Sequence, residues 1–292
     1  MTSFESKYSE YQSAFETVLD KFCGALNCKP SVLADSLKYS LTIGGKRLRP
    51  VLMYACGELL EVENKKLANY ALALELIHTY SLIHDDLPDM DNDDFRRGKP
   101  ANHKVFGTGN AILAGDGLLN TAYSILFNEC FNGNEHISAS KYLCDCAGID
   151  GMIAGQSADL LHENDEIVTE EILNFIYENK TSKLILASTV VPAILKCGKY
   201  FSELKAFAIN LGCLFQLTDD ILDVEGSFEQ LGKSTGKDKI EGKYTGIRLY
   251  GLDGSKLKAD LLTDNCLKIL EGIEGNTEFL KDLTYFVRQR IN

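Results

Sequence analysis

The sequence predicts an all-α protein. Apolar residues recur at helical spacing over long stretches, no stretch alternates as a strand does, and only 5 of the 292 residues are proline. Proline removes a helix donor and clashes with the preceding turn, so its scarcity permits long helices. Along the chain, residues 67–77 are apolar around nearly the whole helical circumference, the mark of a helix buried in the middle of a protein. Further helical periods run through 110–131, 142–161, 170–195 and 202–224, separated by breaks such as Phe131-Asn132-Gly133-Asn134-Glu135 and Cys197-Gly198-Lys199. No strand–Gly-rich-turn–helix unit and no repeat of fixed period stands out. The expectation is a single domain of about ten helices around one central bundle. Two polar, Gly-bearing stretches, 91–108 and 225–254, each follow an acidic cluster at the end of an apolar helix, where functional loops are expected.

Composition narrows the function. Thirty basic and 42 acidic residues give a net charge of -12, which argues against a nucleic-acid partner unless the cations are focused in one place. No basic segment followed by an apolar stretch opens the chain, and the apolar run from Tyr70 to Ile83 is interrupted by Glu75 and His78. No signal peptide or stable membrane anchor is therefore expected. Nine scattered cysteines, an odd number without a Cys-x-x-Cys pair, read as small core residues in a reducing cytoplasm.

The chemistry concentrates in two acidic clusters, His84-Asp85-Asp86-Leu87-Pro88-Asp89-Met90-Asp91 and Gln216-Leu217-Thr218-Asp219-Asp220-Ile221-Leu222-Asp223. Asp219 and Asp223 stand four apart on one helix face, with Cβ atoms about 5–6 Å apart, so something positive is expected between them. Oxygen-only donors suit a hard cation such as Mg²⁺. Asp89-x-Asp91-x-Asp93 imitates an EF-hand, but its sixth position is Asp94 and its twelfth Pro100, and the loop fails. Glu75-x-x-His78 imitates half of a di-iron motif and has no second copy. Basic residues are focused in Gly44-Gly45-Lys46-Arg47-Leu48-Arg49-Pro50 and in Arg96-Arg97-Gly98-Lys99-Pro100, beside the first acidic cluster. Such neighbours suggest a polyanion site, held partly through metal and partly directly.

Together with Lys180-Thr181, these motifs resemble those of the trans-isoprenyl diphosphate synthases, in order and over nearly the whole chain. The run Tyr80-Ser81-Leu82-Ile83-His84-Asp85-Asp86-Leu87-Pro88 is similar to the bacterial farnesyl type. The resemblance implies one polyprenyl synthase domain over 1–292, with the isoprenoid-synthase helical bundle and two Asp-rich motifs facing a central cavity. It further implies a homodimer and head-to-tail condensation of an allylic diphosphate with isopentenyl diphosphate. By the same likeness Asp85, Asp86, Asp91, Asp219 and Asp223 serve Mg²⁺, with Asp220 in support. About three ions per substrate-loaded site are implied, Mn²⁺ being an acceptable substitute. Lys46, Arg49, His78 and Arg97 would hold isopentenyl diphosphate. Arg96, Lys180 and Lys233 would hold the allylic diphosphate, and Thr181 and Gln216 would turn oxygens toward the developing cation.

His78, Ser81 and Asp85 share one helix face. Tyr80 lies five residues before Asp85, about 7.5 Å along the axis, and with Ser81 is expected to limit chain length at fifteen carbons. The acidic run can end on Asp89 or Asp91, with Asp91 preferred. Lys243-Tyr244-Thr245-Gly246 replaces a more usual Lys-Ser/Thr-Tyr-Pro, which leaves the part of Lys243 open, and Asp93-Asp94 can be solvated loop charge. The alternatives are a geranylgeranyl diphosphate synthase, a non-catalytic subunit of a heteromeric synthase, and a terpene cyclase. Intact acidic clusters disfavour the subunit, and the isopentenyl-side cations Lys46, Arg49 and Arg97 disfavour the cyclase.

Overall fold

A computed structural model describes residues 2–225 and 242–290. Its helices begin with α1 (Ser3–Ala25), α2 (Ser31–Thr42), α3 (Leu48–Leu59) and α4 (Asn64–Asp85). After a two-strand hairpin, β1 (Phe95–Arg96) and β2 (Lys99–Pro100), come the short α5 (Asn102–Phe106), α6 (Thr108–Glu129), α7 (Asn134–Ala147) and α8 (Met152–Leu161). The chain continues through α9 (Glu170–Ile176), a π-helical turn (Tyr177–Ser182), α10 (Lys183–Leu195) and α11 (Phe201–Glu225). Two helices close the described chain, α12 (Gly246–Glu271), kinked where Gly251 takes φ 68°, and α13 (Glu278–Gln289). The all-α expectation holds. A pairing as short as Phe95↔Pro100 and Arg96↔Lys99 leaves no alternating pattern to find.

The central helix is α4. Leu67, Tyr70, Leu74, Leu76 and Ile77 are fully buried on different sides of it, against α3, α6 and α10. Burying each such side chain contributes about 1.5–3 kcal/mol, so this circumference holds α4 in the middle of the bundle and fixes where its C-terminal Asp85 emerges. Within it Glu75 is 1% exposed and is ion-paired with Arg47 at 2.9 Å. Arg47 also meets Glu16 at 2.8 Å and donates to the Leu41 carbonyl at 2.6 Å. The middle cation of the first basic run is thus a buried cross-link between α1, α3 and α4.

Two predicted helices are divided. The 142–161 period breaks between α7 and α8, where Gly151 passes so near the Cys146 carbonyl that a Cβ would overlap it. The 170–195 period is interrupted by the π turn, which inserts an extra residue into the helical repeat. Such bulges are frequent at functional sites. Its backbone is clamped by glycines: a Cβ on Gly155 of α8 would overlap the Lys180 backbone, and one on Gly212 of α11 would overlap Ser182. All nine cysteines are free. Among the described residues no helix is long and apolar enough to cross a membrane.

Candidate active site

A cavity of about 710 Å³ opens between the end of α4, the hairpin, α8, the π turn, α11 and residues 243–245. Asp85 is the last residue of α4. The Asp91 amide donates to the Asp85 carbonyl at 2.8 Å, folding the acidic loop back so that both carboxylates line the cavity. Asp89 is exposed outside it, which favours Asp91. Asp85 Oδ1 accepts from Gln156 Nε2 at 2.5 Å. Burial raises the Asp85 pKa above its ordinary value, against the pull of nearby Lys180. Burial also works against ionised Asp91, but Lys180 and Lys243 outweigh it and hold that carboxyl low.

Asp86 departs from its expected role. It is 2% exposed, does not line the cavity, and accepts from Arg96 Nε at 3.0 and 3.3 Å. Successive helical residues are about 100° apart, so Asp85 and Asp86 cannot serve the same side. Burial pushes Asp86 up to about 6, with Arg96 opposing. The anchored Arg96 also meets Asp93 at 3.2 Å, which gives Asp93 a place in the wall rather than only in solvent.

Arg97 and Gly98, at φ 53° and 73°, form the corner of the hairpin. Two left-handed residues of this kind suit the twist of a two-residue hairpin loop. The Arg97 side chain donates to the Gly44 carbonyl and lies over Gly45, where a Cβ would collide with its guanidinium. The two arginines therefore diverge because of a turn, not because of an extended segment. Arg49 lines the same end and donates to His78 Nε2 at 3.1 Å. Arginine has no acceptor, so this His78 nitrogen is the unprotonated one. Burial and the Arg49 charge keep His78 well below its ordinary pKa. Burial also lowers Arg49 to about 10, still charged at neutral pH. Lys46 is outside the cavity lining, its ammonium 5.8 Å from the Phe286 ring centre; burial lowers its pKa, with nearby Arg290 adding to the effect.

The opposite wall carries the second cluster. Asp219 is ion-paired with Arg290 Nη2 at 2.8 Å, and the Arg290 guanidinium lies 3.7 Å from the Phe215 ring centre. Asp220 lines the cavity but is held by Tyr177 and the Gly246 amide. Asp223 is 5% exposed, does not line the cavity, and has an Oδ1 buried without a hydrogen-bond partner among the described residues. Lys180 and Thr181 project from the π turn. Lys180 Nζ donates to Asp159 Oδ2 at 2.5 Å, and Thr181 donates to Gln216 Oε1 at 2.8 Å. Tyr80 and Ser81 line the cavity, Tyr80 meeting the His84 ring edge-on at 5.7 Å and Ser81 donating to the His78 carbonyl at 2.9 Å. Lys233 lies outside the described residues.

Sequence reasoning missed Gln156, Asp159 and Glu163. Their i, i+3, i+7 spacing along the α8 segment was the available signal, a polar line on a largely apolar helix. It also missed Arg290, which no motif marks. Lys243, left open above, is placed in the site: it donates to Asp91 at 2.6 Å and also pairs with Glu163.

Among the described residues no three carboxylate, imidazole or thiol groups converge tightly enough to form a closed metal cage. What exists is an open oxygen donor set, Asp85 and Asp91 facing Asp219, with the orphaned Asp223 oxygen behind. That fits Mg²⁺, which is usually held by one or two carboxylates, waters and substrate phosphates.

Asp-rich motifs on facing walls of one cavity, with cationic groups beside them in an apolar helical bundle, make a site chemically suited to polyanions and a hard cation. The Polyprenyl synthetase family profile matches residues 30–278, and the chain belongs to that family. It is 40% identical over 269 residues to the farnesyl diphosphate synthase of Bacillus subtilis (strain 168), covering 89% of this chain and 90% of that one. It is 43% identical over 251 residues to the chloroplastic geranylgeranyl pyrophosphate synthase of Capsicum annuum, covering 85% and 68%. The geranyltransferase from Helicobacter pylori complexed with magnesium and isoprenyl diphosphate superposes with a TM-score of 0.86 at 31% identity, over 98% of this chain and 97% of that one. The protein is a short-chain trans-prenyltransferase.

The divergent arginines give a direct test. If Arg97 holds isopentenyl diphosphate, as the resemblance implies, Arg97→Ala should raise KM for that substrate about tenfold, and KM for the allylic primer less, because one charge-assisted contact would be lost. Arg96→Ala should do the reverse and also leave buried Asp86 without its counter-ion. Steady-state kinetics with each substrate varied in turn checks both; two variants that impair the same substrate contradict the two-subsite arrangement.

Proposed function

We propose that the enzyme condenses isopentenyl diphosphate with dimethylallyl and then geranyl diphosphate, releasing (2E,6E)-farnesyl diphosphate. The observation that carries this reading is that Asp85, Asp91 and Asp219 line one cavity whose other end carries Arg49, His78 and Arg97, a cationic set suited to a second diphosphate. Bound Mg²⁺, three ions in this reading and replaceable by Mn²⁺, supplies Lewis-acid charge for the departing diphosphate. Asp85, Asp91 and Asp219 would hold it, with Asp223 behind. Lys180 binds a leaving-group oxygen, and the assignment extends to Arg96 and Lys233. Arg49, Arg97 and neutral His78 orient isopentenyl diphosphate for attack on the allylic carbon, while Lys46, outside the cavity lining, keeps its assignment from the sequence resemblance alone. Thr181 and Gln216 offer oxygens to the cation, while the apolar wall excludes the water that would quench it. The released diphosphate takes the final proton, so no dedicated base is needed.

The exposed Ile112, Leu113 and Phe127 of α6, with Phe131 beyond it, support a second copy of the chain as partner. The free thiols support a reducing, cytoplasmic compartment. The function is tested by analysing products from the allylic primer with and without isopentenyl diphosphate, and with EDTA. Elongation should require both isopentenyl diphosphate and a divalent cation; full turnover in EDTA contradicts the metal assignment.

Chain length is assigned to Tyr80, 6% exposed in the cavity wall with Ser81 beside it. Relatives named for fifteen- and twenty-carbon products both occur, so the floor itself must be tested. Tyr80→Ala should remove a ring from the path of the growing chain and shift the main product to twenty carbons or more. Chromatography of dephosphorylated products decides. An unchanged fifteen-carbon product removes Tyr80 from this role, and a twenty-carbon product from the unaltered enzyme removes the farnesyl assignment.

A further inference from the structure

One hydrogen-bonded chain runs from the start of α12 to the cavity wall. The Tyr177 hydroxyl donates to Asp220 Oδ2. The Gly246 amide reaches the same carboxylate oxygen at 2.7 Å and the Tyr177 oxygen at 2.8 Å. Asp220 Oδ1 accepts from Gln216 Nε2 at 3.3 Å, and Gln216 Oε1 accepts from Thr181 at 2.8 Å. Tyr177 and Asp220 are 5% and 3% exposed.

Direction in this chain is fixed by chemistry. The Tyr177 hydroxyl and the Gly246 amide both donate to Asp220 Oδ2, and the neighbouring Oδ1 accepts from the NH₂ end of the Gln216 amide. The carbonyl oxygen is then forced toward Thr181 and the cavity. If Asp220 could rotate, the amide could flip and present two N–H groups where positive charge develops. Tyr177 prevents the rotation. Burial, with the Asp220 charge adding to it, holds the Tyr177 pKa well above its ordinary value, so the hydroxyl stays a donor. The amide at the start of α12 is one of the donors that a helix leaves unsatisfied, and Asp220 takes it. Gly246 makes the approach possible: a Cβ there would overlap Leu217 and stand 3.0 Å from the Tyr177 oxygen.

We infer that Tyr177, with the Gly246 amide, is a positioning residue for prenyl transfer: through Asp220 it locks the Gln216 carbonyl toward the reacting allylic carbon. Asp220 is then a relay rather than a metal ligand. The inference rests on the reading that Gln216 faces the cation, and adds the device that keeps it there.

The test is a double-mutant cycle with steady-state kinetics on Tyr177→Phe, Gln216→Met and their combination. Tyr177→Phe should lower kcat roughly tenfold, the scale of a lost hydrogen bond to a charged group, and leave both KM values within about twofold. In the Gln216→Met background the Tyr177→Phe change should have no further effect on kcat, because the group it positions is gone. Multiplicative losses, or an unchanged kcat in Tyr177→Phe, overturn the inference. Full kcat in Gln216→Met overturns the role of Gln216 itself, and the inference with it. Should Tyr177→Phe not fold, Gly246→Ala provides the same cycle: it keeps the hydroxyl but displaces the amide, and its loss of kcat should likewise vanish in the Gln216→Met background. Multiplicative losses in that cycle overturn the inference as well.

Discussion

Asp85→Asn should lower kcat at least ~100-fold and raise the melting temperature at neutral pH. The rate falls because one carboxylate of the facing pair loses its charge while the site keeps its shape. Gln156 can still donate to an Asn carbonyl, as it does to Asp85 at 2.5 Å. The stability sign follows from the raised pKa. Burial makes the ionised form costlier in the folded chain than in the unfolded one, and the neighbouring Asp91 and Asp159 charges add to that cost. A group shifted upward stabilises below its unfolded pKa and loses that contribution as pH rises, so at pH 7 ionised Asp85 is a burden that Asn lifts. Single-turnover kinetics and thermal melts monitored by circular dichroism check both halves. Undiminished turnover, or a lower melting temperature, contradicts the role given to Asp85.

Lys180→Met should also lose at least ~100-fold in rate, with the opposite effect on stability, a loss of about 3 kcal/mol. Lys180 is held charged well above its ordinary pKa against burial, chiefly by Asp85 and Asp159. Methionine keeps the stem but removes the ammonium that pairs with Asp159 and offsets the Asp85 charge. The π turn itself should persist, because the backbone contact with Gly155 is untouched. Adding Asp159→Asn should recover part of the stability and none of the rate. Chemical denaturation of the single and double variants measures this; equal stability of Lys180→Met and the unaltered enzyme would falsify the proposed counter-ion role.

The two stability signs show where the sequence is informative and where it falls silent. Helix α4 was legible because a fully apolar circumference has one physical outcome, burial, and a buried helix ending in Asp85 delivers that residue to a fixed point. Asp86 was not separable from Asp85 on the page of the sequence; only the 100° step between them, realised against Arg96, divides their work. The basic run at 46–49 carries three cations of similar character. The left-handed backbone at Arg47, φ 50°, turns the middle one inward to Glu75, a choice that no composition announces. The π turn reads as ordinary helix, since its residues are ordinary helix residues. The acidic and amide groups of the α8 segment look like a solvent face until the bundle places them against Lys180 and Lys243.

Most cations around this cavity already have a carboxylate partner: Lys180 has Asp159, Lys243 has Asp91 and Glu163, Arg96 has Asp86 and Asp93, and Arg290 has Asp219. An anion arriving at these four groups competes for cations that are already engaged. Capture of Lys243 or Arg290 would free Asp91 or Asp219, and a freed carboxylate is a better donor for a divalent cation than a paired one. Uptake of the anion and uptake of the cation are thus two halves of one exchange, and thermodynamic reciprocity requires that each raise the affinity for the other by the same factor.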